Sequence, residues 1–465
     1  MPSFYIYTLG CKLNQLESEA VAAAFRRCGF AVLDKPLGAD ILVVNTCTVT
    51  SKAEQKARRV LRGLLRDHPR IPLIVTGCYA QLEGEALAEL ERSSGDPPGR
   101  LFVVPGDKKD ALLDLPCLLS SGNGVEDIAR AAARWALSLS GSSSPSGGRF
   151  RFVPDAFSFH SRGFLKIQDG CDRRCAYCRV SAARGPCVSV DAAEALAALV
   201  SLEERGAAEA VLTGVNIGQY RGRGPGGGEV SLAGLVGFLL SGTRAIRLRL
   251  SSLEPETVDG DLLRVLAHPR IRPHFHLSVQ SGSPAILERM GRPYGPLEVE
   301  AAAARLRSVK DDPFLACDII AGFPGETPAE FEKTAGLCER LRCAWIHAFP
   351  FSRRPGTKAW SYGQGICGKD ARTRVDILTA MARRHRRDYA GRWINRDVEA
   401  VVEESEKNSR FLRVTSDNYL KLALPAEGER EKPGASLVCR ITALAETAGA
   451  LCGTAGFDGM AVKRV

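Results

Sequence analysis

Gly170-Cys171-Asp172-Arg173-Arg174-Cys175-Ala176-Tyr177-Cys178 is the stretch that decides how this chain is read. Three thiolates on one tight loop, spaced by three residues and then two, can hold three irons of a four-iron cluster. The fourth iron then has no protein ligand. An open coordination position lets a metal centre bind and react rather than only brace a fold, the logic that separates catalytic from structural zinc. The competing reading is a zinc knuckle, with Cys187 further along the chain as the fourth ligand.

Around this loop a strand–helix rhythm repeats. Strand-like runs are expected at residues 164–168, 210–213, 246–251, 274–279, 315–321 and 345–351, with helical patterns between them at 191–204, 231–240 and 295–309. Six such units suit a partial or full parallel β/α barrel, whose active face is the carboxyl end of its strands. The cysteine loop leaves the first strand at that end. So do Thr213-Gly214-Val215-Asn216, Ser252-Leu253-Glu254, Gln280-Ser281-Gly282 and Gly322-Phe323-Pro324-Gly325-Glu326. Glycine-rich turns there permit close backbone approach to a nucleotide-like ligand, although glycine after a strand is also plain turn chemistry.

Upstream, residues 1–135 also read as α/β. Strands are expected at 4–9, 40–46, 72–76 and 101–104, and helices at 17–28 and 51–66. Alternation of this kind implies a doubly wound parallel sheet. Cys11, Cys47 and Cys78 each fall just past the carboxyl end of a strand. Those ends share one edge, where ligands bind in such sheets. Three thiolates would converge there, again one short of a full set for four irons. The alternative is three buried cysteines that merely pack. Packing is the better reading for Cys28, Cys117, Cys317, Cys338, Cys343, Cys367, Cys439 and Cys452. Residues 136–150, rich in Ser, Gly and Pro, read as a flexible linker between the two regions.

Composition bounds the rest. The apolar fraction of 45% and charged fraction of 25% are ordinary globular values. No apolar run reaches the ~18 residues of a membrane span, and no signal peptide is read at the start, so a cytoplasmic protein with reduced cysteines is expected. Net charge of +10 favours an anionic partner such as RNA.

These motifs together resemble the radical S-adenosylmethionine (SAM) methylthiotransferases over essentially the whole chain. The matching stretches include Thr8-Leu9-Gly10-Cys11-Lys12-Leu13-Asn14-Gln15, Asn45-Thr46-Cys47-Thr48-Val49-Thr50 and Thr76-Gly77-Cys78-Tyr79-Ala80-Gln81. His276-Leu277-Ser278-Val279-Gln280-Ser281-Gly282-Ser283 and Asp318 to Glu326 belong with them. The Thr-Leu-Gly-Cys-Lys start and the stretch 212–218 resemble the subgroup acting on threonylcarbamoyladenosine in tRNA. One departure is local: the segment after Cys178 runs Arg179-Val180-Ser181-Ala182-Ala183-Arg184-Gly185-Pro186, where the family usually has Pro-Tyr-Ala-Arg-Gly.

The resemblance implies two [4Fe-4S] clusters and SAM as cofactors. Cys171, Cys175 and Cys178 would hold the SAM-cleaving cluster. Cys11, Cys47 and Cys78 would hold the cluster that carries the inserted sulfur. Tyr177, Gly214, Glu254 and Gln280 are its candidate SAM contacts; for Glu254 the alternative is an ion pair with an Arg such as Arg249. The implied substrate is the tRNA anticodon loop, methylthiolated at carbon 2 of N6-threonylcarbamoyladenosine 37. The implied electron donor is flavodoxin or ferredoxin, and the implied state is a monomer away from membranes. Methylthiolation of isopentenyladenosine or of a ribosomal protein, and a non-enzymatic iron–sulfur or zinc RNA-binding protein, are the alternatives. Residues 151–390 would form the radical-SAM core. Residues 391–465, with five short alternating runs, suit a small antiparallel barrel of oligonucleotide-binding type and resemble the TRAM domain. The basic residues from Arg383 to Arg396 and the stretch Lys56 to Arg70 are candidate phosphate contacts, and the Arg353-Arg354 pair is a candidate for holding phosphate or carboxylate, with solvated surface arginines as the alternative.

Overall fold

The computed structural model describes residues 1–92, 99–119, 124–139, 146–154, 162–363, 365–403, 411–426, 432–444 and 460–464. Part of the expected linker, and Cys452, lie outside them.

The first region is a five-stranded parallel sheet of β1 (Ser3–Thr8), β2 (Ala31–Val32), β3 (Ile41–Thr46), β4 (Leu73–Gly77) and β5 (Leu101–Val103), in spatial order β2-β1-β3-β4-β5. The two-residue β2 is too short to show in the sequence pattern. β3 is buried at all six positions, as the near-continuous apolar run Ile41-Leu42-Val43-Val44 demands of a strand covered on both faces. Helix α1 (Lys12–Arg27) begins five residues before the expected start at 17, with Cys11 at its N-cap. Its small residues from Ala20 to Ala24 let it lie close on the sheet, and Phe25 stacks on Phe4 at 3.8 Å between ring centroids. Helix α2 (Ser51–Asp67) is capped by Thr50, whose hydroxyl accepts the Ala53 N–H, and it turns Ala57, Leu61, Leu64 and Leu65 inward. Helix Val125–Ser138 buries Trp135 in the core of this region, and Phe152 packs into the same core.

The second region has six parallel strands: β6 (Gly163–Lys166), β7 (Glu209–Thr213), β8 (Arg247–Leu250), β9 (His274–Gln280), β10 (Phe314–Ala321) and β11 (Trp345–Pro350). They form two three-stranded sheets, linked by bridges from Leu248 to Ile271 and from Leu253 to Leu277. The result is a partial barrel, open between β6 and β11. Alternate residues divide its two faces. Leu165, Leu212, Leu248, Leu277, Ile319 and Ile346 pack outward under helices. The residues between them, such as Lys166, Val211, Arg249, His276, Asp318 and His347, line the concave face. Leu16 of α1 packs on Phe164 and Val211, so the first region's helix lies against this face.

The third region is a closed barrel of β12 (Asp397–Val402), β13 (Phe411–Ser416), β14 (Lys421–Pro425), β15 (Ser436–Leu444) and β16 (Met460–Arg464), in order β12-β13-β14-β16-β15. Its pairs are antiparallel except β14 with β16. Its core runs on into Phe314, Ala344 and Tyr389, seating it at the amino ends of the partial barrel's strands.

Candidate metal centres and the seam between them

The strand order of the first sheet reverses between β1 and β3, and ligands bind outside the carboxyl ends at such a switch point. Cys11 follows β1, Cys47 follows β3, and Cys78 opens the short helix α3 (Cys78–Leu82) directly after β4. Two glycines bring these loops together. A Cβ at Gly10 (φ +101°) would lie 2.5 Å from both the Cβ and the Sγ of Cys47. A Cβ at Gly77 (φ +102°) would lie 2.3 Å from the Thr46 carbonyl. Neither contact is possible for a side chain. Burial, then repulsion from Cys11 and Cys78, pushes the Cys47 thiol up to about 12. Protein groups alone do not make this a thiolate site. A bound cation would, because metal binding displaces thiol protons. The N-cap position of Cys11 adds the positive end of a 16-residue helix.

The second triad is local. Cys171, Cys175 and Cys178 are all half-buried. Backbone N–H groups of Arg173 and Val180 donate to the sulfurs of Cys171 and Cys178, each at 3.4 Å, and Arg292 Nη1 donates to Cys175 Sγ at 3.2 Å. Burial, then its two sister cysteines, pushes Cys178 up to about 11. Such N–H···S bonds and the open side of the loop suit a sulfur-ligated cluster. Cys187, the fourth ligand of the zinc alternative, is otherwise engaged. Its sulfur accepts from Gln168 Nε2 at 3.2 Å and its thiol donates to the Gln219 carbonyl at 3.4 Å.

A buried charged seam joins the two triads. Arg184 lies six residues after Cys178. Its Nε reaches Cys78 Sγ at 3.3 Å, its Nη1 donates to Glu17 and Asp169 at 2.9 and 3.0 Å, and its Nη2 donates to Asn14 at 2.9 Å. Lys109 and Lys166 complete the set on Glu17, at 2.5 and 3.0 Å. Burial alone would raise Asp169, but Arg184 and Lys166 overcome it and hold the carboxyl at about 2. Three cations face two carboxylates here. The remaining positive charge stands beside a cysteine sulfur, where a thiolate-ligated cluster would bring negative charge. The reading of residues 179–186 as a mere local departure overlooked Arg184. The signal available was polar residues, Asn14 and Glu17, inside an otherwise alanine-rich helix.

The four candidate SAM contacts sit at different distances from the loop. Tyr177 lies edge-on to Phe323, at 6.5 Å between centroids, in an apolar cluster beneath the cysteine loop. Glu254 is paired with Arg292, the same guanidinium that touches Cys175, and burial pushes its carboxyl up to about 7. The alternative partner Arg249 is ruled out: it is bound to Glu209 at 2.7 and 3.0 Å, because both face the inside of the barrel near its amino end. Gly214 passes tightly over Gln168, whose Oε1 would lie 2.7 Å from an added Cβ. Gln280 ends β9 at φ +68°, next to a register shift. A non-glycine residue held there is strained, and such strain gathers at functional sites. Gly214, Glu254 and Gln280 share the strand-end edge. Glu254 is tied to Cys175 through Arg292, and Tyr177 directly precedes Cys178.

The arginine readings change. Arg354 is 2% exposed and holds Glu54 of α2 and the Thr48 hydroxyl, so it latches the partial barrel onto the first sheet near Cys47. Arg179 binds Glu54 and Glu83 across the same seam. Arg353 stacks over Trp360 at 4.2 Å. In the basic helix Gly368–Gly391, Arg384 and His385 hold Glu339, and Arg386 lies over Phe314. Beyond the helix, Arg392 and Arg396 hold Asp312 and Asp311. Arg383 and Arg387 point outward, as do Arg59 and Arg62 of α2.

Comparison with known proteins places this geometry. A family model described as an uncharacterized protein family, UPF0004, matches residues 3–94, and the radical SAM superfamily model matches residues 165–338. The threonylcarbamoyladenosine tRNA methylthiotransferase MtaB of Treponema pallidum is 40% identical, covering 92% of this chain and 95% of that protein. The enzyme of the same name from Thermotoga maritima is 33% identical over 87% of each. A tRNA-2-methylthio-N(6)-dimethylallyladenosine synthase from Ruegeria pomeroyi is 31% identical, covering 97% of this chain and 98% of that one. Among solved structures, the radical S-adenosylmethionine methyltransferase TsrM from Kitasatospora setae matches with a TM-score of 0.49 and 16% identity, over 77% of each chain.

Proposed function

The chain belongs to the radical-SAM methylthiotransferases, and from that premise we propose how its residues divide the work. It is a tRNA-modifying enzyme that adds a methylthio group to carbon 2 of N6-threonylcarbamoyladenosine at position 37, using SAM and two [4Fe-4S] clusters. The structural feature that best supports this assignment is the Arg184 seam, which sets two incomplete thiol triads side by side in two domains.

Cys171, Cys175 and Cys178 hold one cluster and Cys11, Cys47 and Cys78 the other. When bound, these groups and SAM supply the one-electron chemistry and the sulfur. The protein positions the partners and excludes water. Arg292 anchors Cys175 and turns Glu254 toward the open side of the loop, where Glu254, Tyr177, Gly214 and Gln280 form the SAM cradle. Arg184 and Arg354 hold the two sheets in one register, so that a single base reaches both triads. The base must leave its stack to do so, as bases in anticodon loops readily do. Outward arginines on α2 and on helix Gly368–Gly391, together with the terminal barrel, carry the RNA backbone. No helix among the described residues is long and apolar enough to cross a membrane. The enzyme works as a cytoplasmic monomer reduced by flavodoxin or ferredoxin. Residues 1–135, 151–390 and 391–465 act as cluster, SAM and RNA units joined through 136–150.

The test is mass spectrometry of tRNA nucleosides from cells lacking the gene. Loss of the methylthio threonylcarbamoyl nucleoside is expected. Loss of the methylthio isopentenyl nucleoside instead would redirect the substrate, and a protein holding zinc in place of about eight irons would reject the chemistry.

A further inference from the structure

The concave face of the partial barrel is strongly charged, and among the described residues its cations are matched to carboxylates with one exception. Arg249 and Arg272 hold Glu209, Arg247 holds Glu399, Arg162 and Lys421 hold Glu403, and Lys166 holds Glu17 and Asp169. Lys12 has neither an ion pair nor a hydrogen bond among the described residues. It stands one helical turn before Leu16 on α1, on the same face, and Leu16 packs against inward-facing Phe164 and Val211. The charged groups around it are Tyr419, Arg162, Arg249 and Asp318, and it acts in turn on His274 and His347. The lysine therefore enters the barrel from the first region, immediately after Cys11.

Its neighbours leave it in want of an anion. Asp318, the one carboxylate that acts on it, lies 3.1 Å from His276 Nε2 and outside ion-pair reach of Lys12, and Ser252 Oγ is bonded to the other ring nitrogen of His276 at 2.8 Å. Trp345 Nε1 donates to His347 Nδ1 at 3.2 Å, which leaves the proton of the neutral ring on Nε2. His276, Asp318 and His347 have donor atoms within 4.8 Å of one another, as a metal site would need. A lysine beside two of them opposes a metal cation and favours an anion.

We propose that Lys12, with His347 Nε2–H as a second donor, binds the carboxylate of an anionic substituent on the substrate base. On the substrate reading above, that group is the threonyl carboxylate of threonylcarbamoyladenosine. This makes Lys12 a specificity-determining residue: an isopentenyl group would leave its ammonium desolvated and unpaired. Sites built around a polar group reject analogues that lack it far more strongly than apolar pockets reject an extra methyl.

The experiment uses the reconstituted enzyme and anticodon stem-loops carrying threonylcarbamoyladenosine or its neutral methyl ester. With wild type, kcat/KM for the ester should fall about 10–100-fold, the loss of a charge-assisted hydrogen bond. Lys12→Met should lose a similar factor on the acid, mainly in KM, and lose little more on the ester. Lys12→Arg should restore part of the acid rate, and reductive SAM cleavage without RNA should be unchanged. Equal wild-type kcat/KM for acid and ester overturns the inference, whatever Lys12→Met does to iron content at neighbouring Cys11. An equal loss by Lys12→Met on both substrates overturns it too. A wild-type enzyme inactive on the acid stem-loop but active on an isopentenyl one would instead sink the substrate assignment on which the inference rests.

Discussion

The two thiol triads are assembled by opposite routes. Cys171, Cys175 and Cys178 lie within one loop and are held by their own backbone and by Arg292. Cys11, Cys47 and Cys78 come from three loops, and they meet because of sheet order, two left-handed glycines and a guanidinium from another domain. The first centre is a local object that tolerates distant damage. The second is a tertiary object, so changes in the barrel domain should reach it.

The sharpest way to break the comparison is to remove one ligand from each triad. Cys175→Ser should abolish both SAM cleavage and methylthio transfer, whereas Cys47→Ser should abolish transfer alone. Each variant should lose about four of about eight irons, read by iron analysis and product chromatography. Equal loss of SAM cleavage in both would mean that the centres are not separable.

Next in size is Arg184→Gln. It removes the bonds of Arg184 to Glu17 and Asp169 from a buried network in which Lys109 and Lys166 still face both carboxylates, a change expected to cost about 2–3 kcal/mol. Urea unfolding should show that loss, and the iron that disappears should be that of the Cys11–Cys47–Cys78 set. Cluster loss at Cys171–Cys178 instead would show that the seam serves the barrel.

Gly10→Ala adds a Cβ 2.5 Å from Cys47 in a left-handed backbone, and should cost about 2–4 kcal/mol with selective iron loss. Gly29→Ala is the control. Its φ is +83° but nothing lies within 4 Å of the new Cβ, so about 1 kcal/mol and full iron are expected. Denaturant midpoints and iron content of the two variants decide it.

The smallest effect is on pH. Asp169 sits at about 2 against an ordinary 3.8, a difference of about 1.8 units or about 2 kcal/mol. A depressed carboxyl contributes this stability in full above pH ~4, and the contribution fades as pH falls from about 4 toward 2. Unfolding free energy should decline over that window, and the decline should shrink in Asp169→Asn.

Legibility followed the same division. The periodic apolar runs at 41–44 and 73–75 and the six barrel strands announced themselves, because strands covered on both faces must be apolar throughout and those lining a barrel must alternate. The start of α1 was misplaced by five residues, since Cys11 caps it and Lys12, Asn14 and Gln15 disguise its first turn. Arg354 was expected to hold phosphate or carboxylate, and the group it meets is the buried carboxylate of Glu54, some 300 residues away in sequence. The same blindness hid Arg184 and Arg292. Each acts through a partner in another element, and sequence spacing carries no information about which distant carboxylate a cation will meet.

By itself the sequence determined the spacing of the Cys171–Cys178 loop and the placement of three further cysteines after strands, because residue spacing and strand periodicity are local properties. Tertiary structure alone decided that β1 and β3 are neighbours at a switch point, that Arg184 spans the seam, and that Lys12 has no ion pair among the described residues. Those are matters of long-range electrostatic pairing and close backbone approach, which exist only once the sheets have packed against each other.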